Sequence, residues 1–289
     1  VSLRANLAAR GLDGTVLLAA PALLLVIALF VYPFAYGFVL SLKPAQGGHF
    51  ANYVKFFSEP FLFDTLGRTF LLALPVTLLN IAASVPVALR VRLMRRPRVL
   101  TTILVIPITL GTVLVAEGML NYLGPQGWLN RVLLAAHLIE TPLRLVHNYW
   151  GVFLSLVITG FPFTFLLTLS YVTGIDPSLE QAGAMLGARE PQRFANILLP
   201  LLVPGLAITF CLSFVQAFSV FPSAVLLGAP AGATRVISIA AYSAAFEDYD
   251  YSMASAIAII MALAQVFAVG GVLALRGLLY RGPVSTGKG

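Results

Sequence analysis

Residues Gln181–Pro200 read QAGAMLGAREPQRFANILLP. The stretch is charged, too polar to cross a bilayer, and set between two long apolar runs, so it reads as a surface insert built to touch another protein. Asp176 just before it is suited to cap a helix whose first residue is Pro177, pairing an acceptor for orphan amides with a residue that has no amide to satisfy. Leu179, Ala182, Met185 and Leu186 then fall on or near one helical face. Gly187 interrupts the pattern without a side chain and suits a sharp turn. Pro191 is placed to start a second short helix, and Pro200 to mark entry into the next apolar run. A short helix on the membrane surface, rigidly joined to a membrane helix, can transmit a push.

The surroundings define the solvent. Hydrophobic residues make up 59% of the 289 positions and charged residues only 10%, with a mean hydropathy of +0.93. A soluble domain carries about a quarter charged residues, so water is the wrong medium for most of this surface. Six runs meet the roughly 20 residues needed to span hydrocarbon: Val16–Leu42, Thr69–Leu89, Val99–Leu120, Leu145–Ile175, a span within Ile197–Leu227, and Tyr251–Leu275. The first is too long for a signal peptide and lacks a small-residue cleavage pattern. The expectation is an all-α polytopic membrane protein, residues 1–289 forming a single transmembrane domain with a cytoplasmic loop at 176–196. Prolines 33, 75, 86, 107, 162, 204 and 222 lie in or beside the spans and predict kinks rather than breaks.

Charge sets the orientation. With six spans, one side holds both termini and the loops at 90–98 and 176–196. That side carries Arg4, Arg10, Arg90, Arg92, Arg95, Arg96, Arg98, Arg189, Arg193, Arg276, Arg281 and Lys288. The other side has Lys43, Lys55, Arg68, Arg131, Arg144 and Arg235, offset by Glu59, Asp64, Glu140, Glu247, Asp248 and Asp250. Twelve basic residues against six predict that both termini are cytoplasmic. The net charge of +7 is then a topology signal, and no folded nucleic-acid reader surrounds the Arg90–Arg98 cluster.

Outside, the residues between Lys43 and Phe63 supply Phe50, Tyr53, Phe56, Phe57 and Phe61. Gly127–His147 predicts a short interfacial helix leading into the fourth span, with Trp128, Tyr149 and Trp150 as belt residues. Gly228–Asp250 is rich in Gly, Pro and Ala and then acidic. Catalytic signatures are missing: there is no GxxxxGK[ST] and no HExxH. His49, His137 and His147 fit no compact metal set. Ser84 and Ser155 lie in spans without a His or Asp to activate them, and Cys211 reads as a buried small hydrophobe. Polar residues at membrane depth are expensive and often functional, which singles out Asn80, Gln216 and Gln265, with Glu117 nearer the outer mouth. Phe214, Phe218, Ser213 and Ser219 neighbour Gln216. The competing role for these polar groups is to hold helices together.

The insert resembles the EAA loop of binding-protein-dependent ABC transporter permeases, whose pattern is Glu-Ala-Ala, three residues, Gly, nine residues, Ile-x-Leu-Pro. Gln181, Ala182 and Gly183 occupy the first three positions, Gly187 is the motif glycine, and Ile197, Leu199 and Pro200 complete the tail. Gln181 keeps the length of Glu but loses its charge, with Glu180 beside it. Gly183 costs about 1 kcal/mol of helix propensity against Ala. The resemblance extends to Gly124–Leu133, to the Pro162-containing fourth span ending Gly174-Ile175-Asp176-Pro177, and to Asp250–Ala256. These look like the spermidine/putrescine-type subgroup, which also serves ferric iron, phosphonates and opines.

The resemblance implies the ABC importer type I permease fold and an inner-membrane location. It also implies an importer of two permease subunits, identical or homologous, two cytoplasmic ATPases and an extracytoplasmic solute-binding protein. It implies no cofactor and no catalytic centre for this subunit. Glu180, Gln181, Ala182, Gly183, Leu186, Gly187, Ala188, Ile197, Leu199 and Pro200 would couple to the ATPase. Asn80, Glu117, Gln216 and Gln265 are candidates for the solute path, for a polyamine-like or related solute. A secondary transporter working without ATPases is the alternative, but it calls for a paired acidic or cation-coordinating site near the midplane, and the spans offer no good pair.

Overall fold

The computed structural model describes residues 21–279. Arg4, Arg10, Arg281 and Lys288, and the beginning of the first expected span, lie outside the described residues. The described residues form helices joined by loops: α1 (Pro21–Ser41), α2 (Ala51–Ser58), α3 (Pro60–Arg92), α4 (Pro97–Leu123), α5 (Trp128–Ala135), α6 (Tyr149–Thr173), α7 (Pro177–Met185), α8 (Glu190–Phe218), α9 (Pro222–Leu226), α10 (Ile237–Phe246) and α11 (Tyr251–Leu279). Six of these segments are long and apolar enough to span a membrane: α1, α3, the segment that contains α4, α6, α8 and α11.

The residues group into two compact units. Among the described residues, one holds residues 21–59 and 241–260. Within it the buried Asn52 of α2 donates to the hydroxyl of Ser252 at 2.8 Å, and Ser252 donates to the Leu40 carbonyl at 2.9 Å. The larger unit holds residues 60–240 and 261–279. Its centre is the packing of α3 against α6, with α4 and α8 alongside.

The buried face of α3 explains that packing. Thr65, Thr69, Leu72, Val76, Asn80, Ser84, Ala88 and Val91 recur at helical spacing, while Leu71, Leu78 and Leu79 face outward. Small and hydroxylated groups point inward and large aliphatic ones outward, as expected where lipid is the solvent. Hydroxyl pairs join the helices: Ser84 with Thr168, Thr164 with Ser213, and Ser155 with Ser223, each at 2.9 Å. Such pairs average about 0.6 kcal/mol in membranes.

Several elements depart from the sequence expectation. The second span starts at Pro60, so Phe61 belongs to a helix and not to the preceding loop. Helices run on through Pro75, Pro86, Pro107, Pro162 and Pro204. The non-helical backbone within α4 falls at Gly111 (φ 73°, ψ 163°), four residues after Pro107. The second short helix expected at Pro191 is instead the first turn of α8, which runs through Pro200 without a break. That continuity comes from a π-turn at Phe194–Leu198, where the Leu199 amide reaches back to the Phe194 carbonyl. The fifth span ends at Phe218, and Pro222 opens the separate α9. Outside the spans, the interfacial helix is confined to Trp128–Ala135. The loop after it is held by the buried Asn130, whose amide bonds the Gly124 carbonyl and both backbone groups of Leu143. The third outer loop contains α10, an apolar helix of ten residues.

Candidate functional site

Helix α7 forms as the local sequence dictates. The Asp176 carboxylate accepts from the Ser178 amide at 2.9 Å, with Pro177 at the first helical position. That hydrogen bond holds the Asp176 carboxyl below its ordinary range. At the other end the Gly187 amide donates to the Ala184 carbonyl at 2.9 Å and the Ala188 amide to the Gly183 carbonyl at 3.0 Å. Gly187 itself has φ +81°. This pair of bonds with a left-handed residue is a Schellman motif, in which glycine carries no Cβ penalty.

The helix is anchored on one side and open on the other. Gly183 is its buried residue; a Cβ there would stand 2.7 Å from Ile197 Cδ1 and 3.4 Å from Arg193 Cγ. The glycine therefore seats α7 against the start of α8, where helix propensity alone would favour alanine. Glu180 pairs with Arg92, the last residue of α3. Gln181 and Ala182 are exposed, and Met185 and Leu186 are 89% and 90% exposed. Of the motif tail, Ile197 meets Gly183 while Leu199 and Pro200 face outward. The position the pattern leaves free, Leu198, is the buried one, packed with Ala88, Val91, Phe165, Val172, Ile175 and Leu202. Ala188 is half-buried.

A second feature lies deeper in the bundle. A cavity of about 140 Å³ is lined by Asn80, Thr112, Thr159, Ser213, Gln216 and Ser219 among others. Asn80 is 2% exposed and its Oδ1 has no hydrogen-bond partner. A buried, unsatisfied amide oxygen costs on the order of 1–3 kcal/mol. Asn80 and Gln216 both line this cavity. Gln265 acts one step back, donating to the Ser219 hydroxyl at 2.9 Å. Glu117 is exposed and outside the lining. Phe214 and Phe218 are fully buried and pack against Phe70, tilted and edge-on, with ring centroids at 5.9 and 4.9 Å, so they build the core and not the cavity wall.

Arg92 and Asn130 are the structural residues that sequence reading passed over. Arg92 looked like one of a run of topology charges, and Asn130 was given no role. Among the described residues no group of three or more His, Cys, Asp or Glu is placed to hold a metal ion.

Residues 81–275 match the family described as binding-protein-dependent transport system inner membrane component. The spermidine/putrescine transport system permease protein of Escherichia coli K12 is 28% identical over 150 residues, 51% of this chain and 54% of that protein. A probable sulfate transport system permease protein of Prototheca wickerhamii is 28% identical over 93 residues, 32% of this chain and 34% of that protein. The chain spans about half the length of the curated spermidine/putrescine relatives it matches. Among solved structures, a bacterial ABC transporter that imports the acidic polysaccharide alginate superposes with a TM-score of 0.77 at 19% identity, covering 92% of this chain and 96% of that one. The bacterial alginate transporter bound to its pentasaccharide-loaded periplasmic protein gives 0.81 at 21% identity, with coverage of 98% and 99%. The fold is that of an ABC importer type I permease.

Proposed function

Because the chain belongs to the family of binding-protein-dependent transport system inner membrane components, we propose that it is the permease subunit of an ATP-driven importer of a small solute. It is a multi-pass inner-membrane protein, and the subunit alternates its solute path between the two sides. Its partners are two cytoplasmic ATPases, a second permease and an extracytoplasmic solute-binding protein. The observation that carries this reading is α7: a capped, glycine-terminated helix seated on α8 by Gly183, with Met185 and Leu186 standing free. Gln181, Ala182, Leu186, Gly187 and Ala188 form the surface that meets the ATPase, and Gly183, Ile197, Leu199 and Pro200 belong to the joint that returns motion to the bundle.

The cavity bounded by Asn80 and Gln216 is the part of the solute path this subunit supplies. Gln265 orients its Ser219, and Glu117 lies apart from it. The solute is polyamine-like or a related small molecule, a reading supported by the name of the Escherichia coli relative. Selection falls mainly to the binding protein, since the named lining groups are neutral amides and hydroxyls that offer hydrogen bonds without a fixed charge.

The test is to tag this subunit in its native membrane and weigh the complex recovered in mild detergent. A nucleotide-binding protein in two copies, beside two permeases, is the expected result. Recovery of the 30.9 kDa chain alone or as a homo-oligomer, with transport preserved in liposomes, would replace this reading with a secondary carrier.

A further inference from the structure

Glu180 is the one ionisable residue between Pro177 and Leu186, and it is used internally. Its carboxylate lies against the Arg92 guanidinium, with the two side chains 23% and 10% exposed respectively. The same guanidinium donates to the Val172 carbonyl at 3.3 Å. Arg92 ends α3 and Val172 lies in the last turn of α6, so one cation ties α7 to the ends of two membrane helices. Beneath it, Val91 and Val172 join the apolar cluster with Leu198 and Leu202. The other charges lining this groove are Arg90, Glu190 and Arg193. Glu190 stands 3.9 Å from Arg193, which leaves Glu180 as the carboxylate that compensates Arg92.

Two consequences follow from this one placement. First, the exposed part of α7 is left without charge: Gln181, Ala182, Ala184, Met185 and then Leu186. Second, a pair this shielded from water resists separation, because removing one partner leaves the other as an uncompensated charge. The unpartnered Nε of Arg92 shows that the site has no further acceptor in reserve.

We propose that α7 engages its ATPase through an uncharged, apolar contact centred on Met185 and Leu186, while the Glu180–Arg92 pair is an internal strut. The strut carries displacement of α7 into α3 and α6. The partner surface is a cleft lined by apolar side chains, with no basic residue required opposite positions 180 and 181. This rests on the permease reading above, and it assigns Glu180 and Arg92 as positioning residues, acting through the joint and not at the interface.

The experiment uses the whole detergent-purified importer, with ATP and its own solute-binding protein as probes. Raising salt to about 1 M, where the screening length falls to about 3 Å, should change the ATPase retained on tagged permease by less than about twofold. Leu186→Asp should cut retention at least about tenfold, the factor equivalent to losing one buried leucine. Glu180→Gln should keep the ATPase bound yet lower hydrolysis stimulated by the binding protein about fivefold, the low end of an intersite coupling. Arg92→Gln should do the same, and the double variant should be no worse than either single one, because a cycle over an interacting pair is non-additive.

Release of the ATPase by salt or by Glu180→Gln would put that charge at the interface and overturn the inference while leaving the permease reading intact. Additive losses in the double variant would remove the strut. A wild-type subunit that brings no ATPase at any salt concentration would overturn the permease reading and this inference with it.

Discussion

Gly187 shows what one residue contributes to this molecule. No atom outside its own chain neighbours lies within 4 Å of where a Cβ would stand, yet its φ is +81°. Space is therefore open and only the backbone restricts substitution. Gly187→Asn, which tolerates the left-handed region, should retain most coupling; Gly187→Val should destabilise the turn by about 1–2 kcal/mol and abolish stimulated ATP hydrolysis. Measuring that hydrolysis on assembled complexes separates the two, and equal loss in both variants would mean that bulk and not conformation is excluded. The glycine was legible in sequence, because an interruption at a fixed spacing is a local signal. The partner of Glu180 was not: Arg92 lies 88 positions away, and periodicity carries no information about which ends of distant helices meet. Gly183 was legible as a departure from pattern, but its reason, the approach of Ile197, required the fold.

At the level of the element, two of the prolines, Pro33 and Pro200, are accommodated by widening turns. The π-turn at Ile27–Val31 closes on the Tyr32 amide, one residue before Pro33. The one at Phe194–Leu198 closes on the Leu199 amide, one residue before Pro200. In both, the wider turn makes room where the proline ring would press on the preceding turn. Gly111 interrupts α4 without a wide turn, with a backbone at φ 73° and ψ 163° that is essentially glycine-only. Gly111→Ala should cost about 1–3 kcal/mol from backbone strain alone, read as a lower thermal midpoint of the subunit in detergent. An unchanged midpoint would show that α4 can run straight. Spans as such were readable from hydropathy. Their ends were not, because Glu190 and Arg193 look like loop residues although they form the first turn of α8. The irregular stretch after α5 was also hidden, since it depends on Asn130 meeting Leu143 across thirteen positions.

For the molecule as a whole, composition and charge asymmetry carried most of the reading. Six apolar stretches and a bias of Arg and Lys toward alternate loops define a topology without any knowledge of packing. With the buried Cys211 replaced by Ser, a cysteine at Arg189 should react with an impermeant maleimide only from the cytoplasmic side. One at Gln126, in the loop after α4, should react only from outside. Labelling of both from the same side would refute the six-span topology. The polar interior was less legible, because threonine and serine at helical spacing look the same whether they pair across helices or face a cavity. Only the fold separates Ser84 and Thr168, which bond each other, from Asn80, which has an oxygen to spare.

The wide turn at Phe194–Leu198 adds one residue to the helical repeat and so rotates everything beyond it by about 100°. It begins directly after Arg193, and within it Ile197 abuts Gly183 on the coupling side while Leu198 faces the apolar cluster on the membrane side. The bearing of the coupling arm around the axis of the fifth span is therefore set by a count of residues. Substitutions between Glu190 and Leu199 leave that count alone. A single insertion or deletion just before Phe194 would turn the arm away from its partner while Leu198 keeps its place in the apolar cluster, so this segment must preserve its length as well as its chemistry.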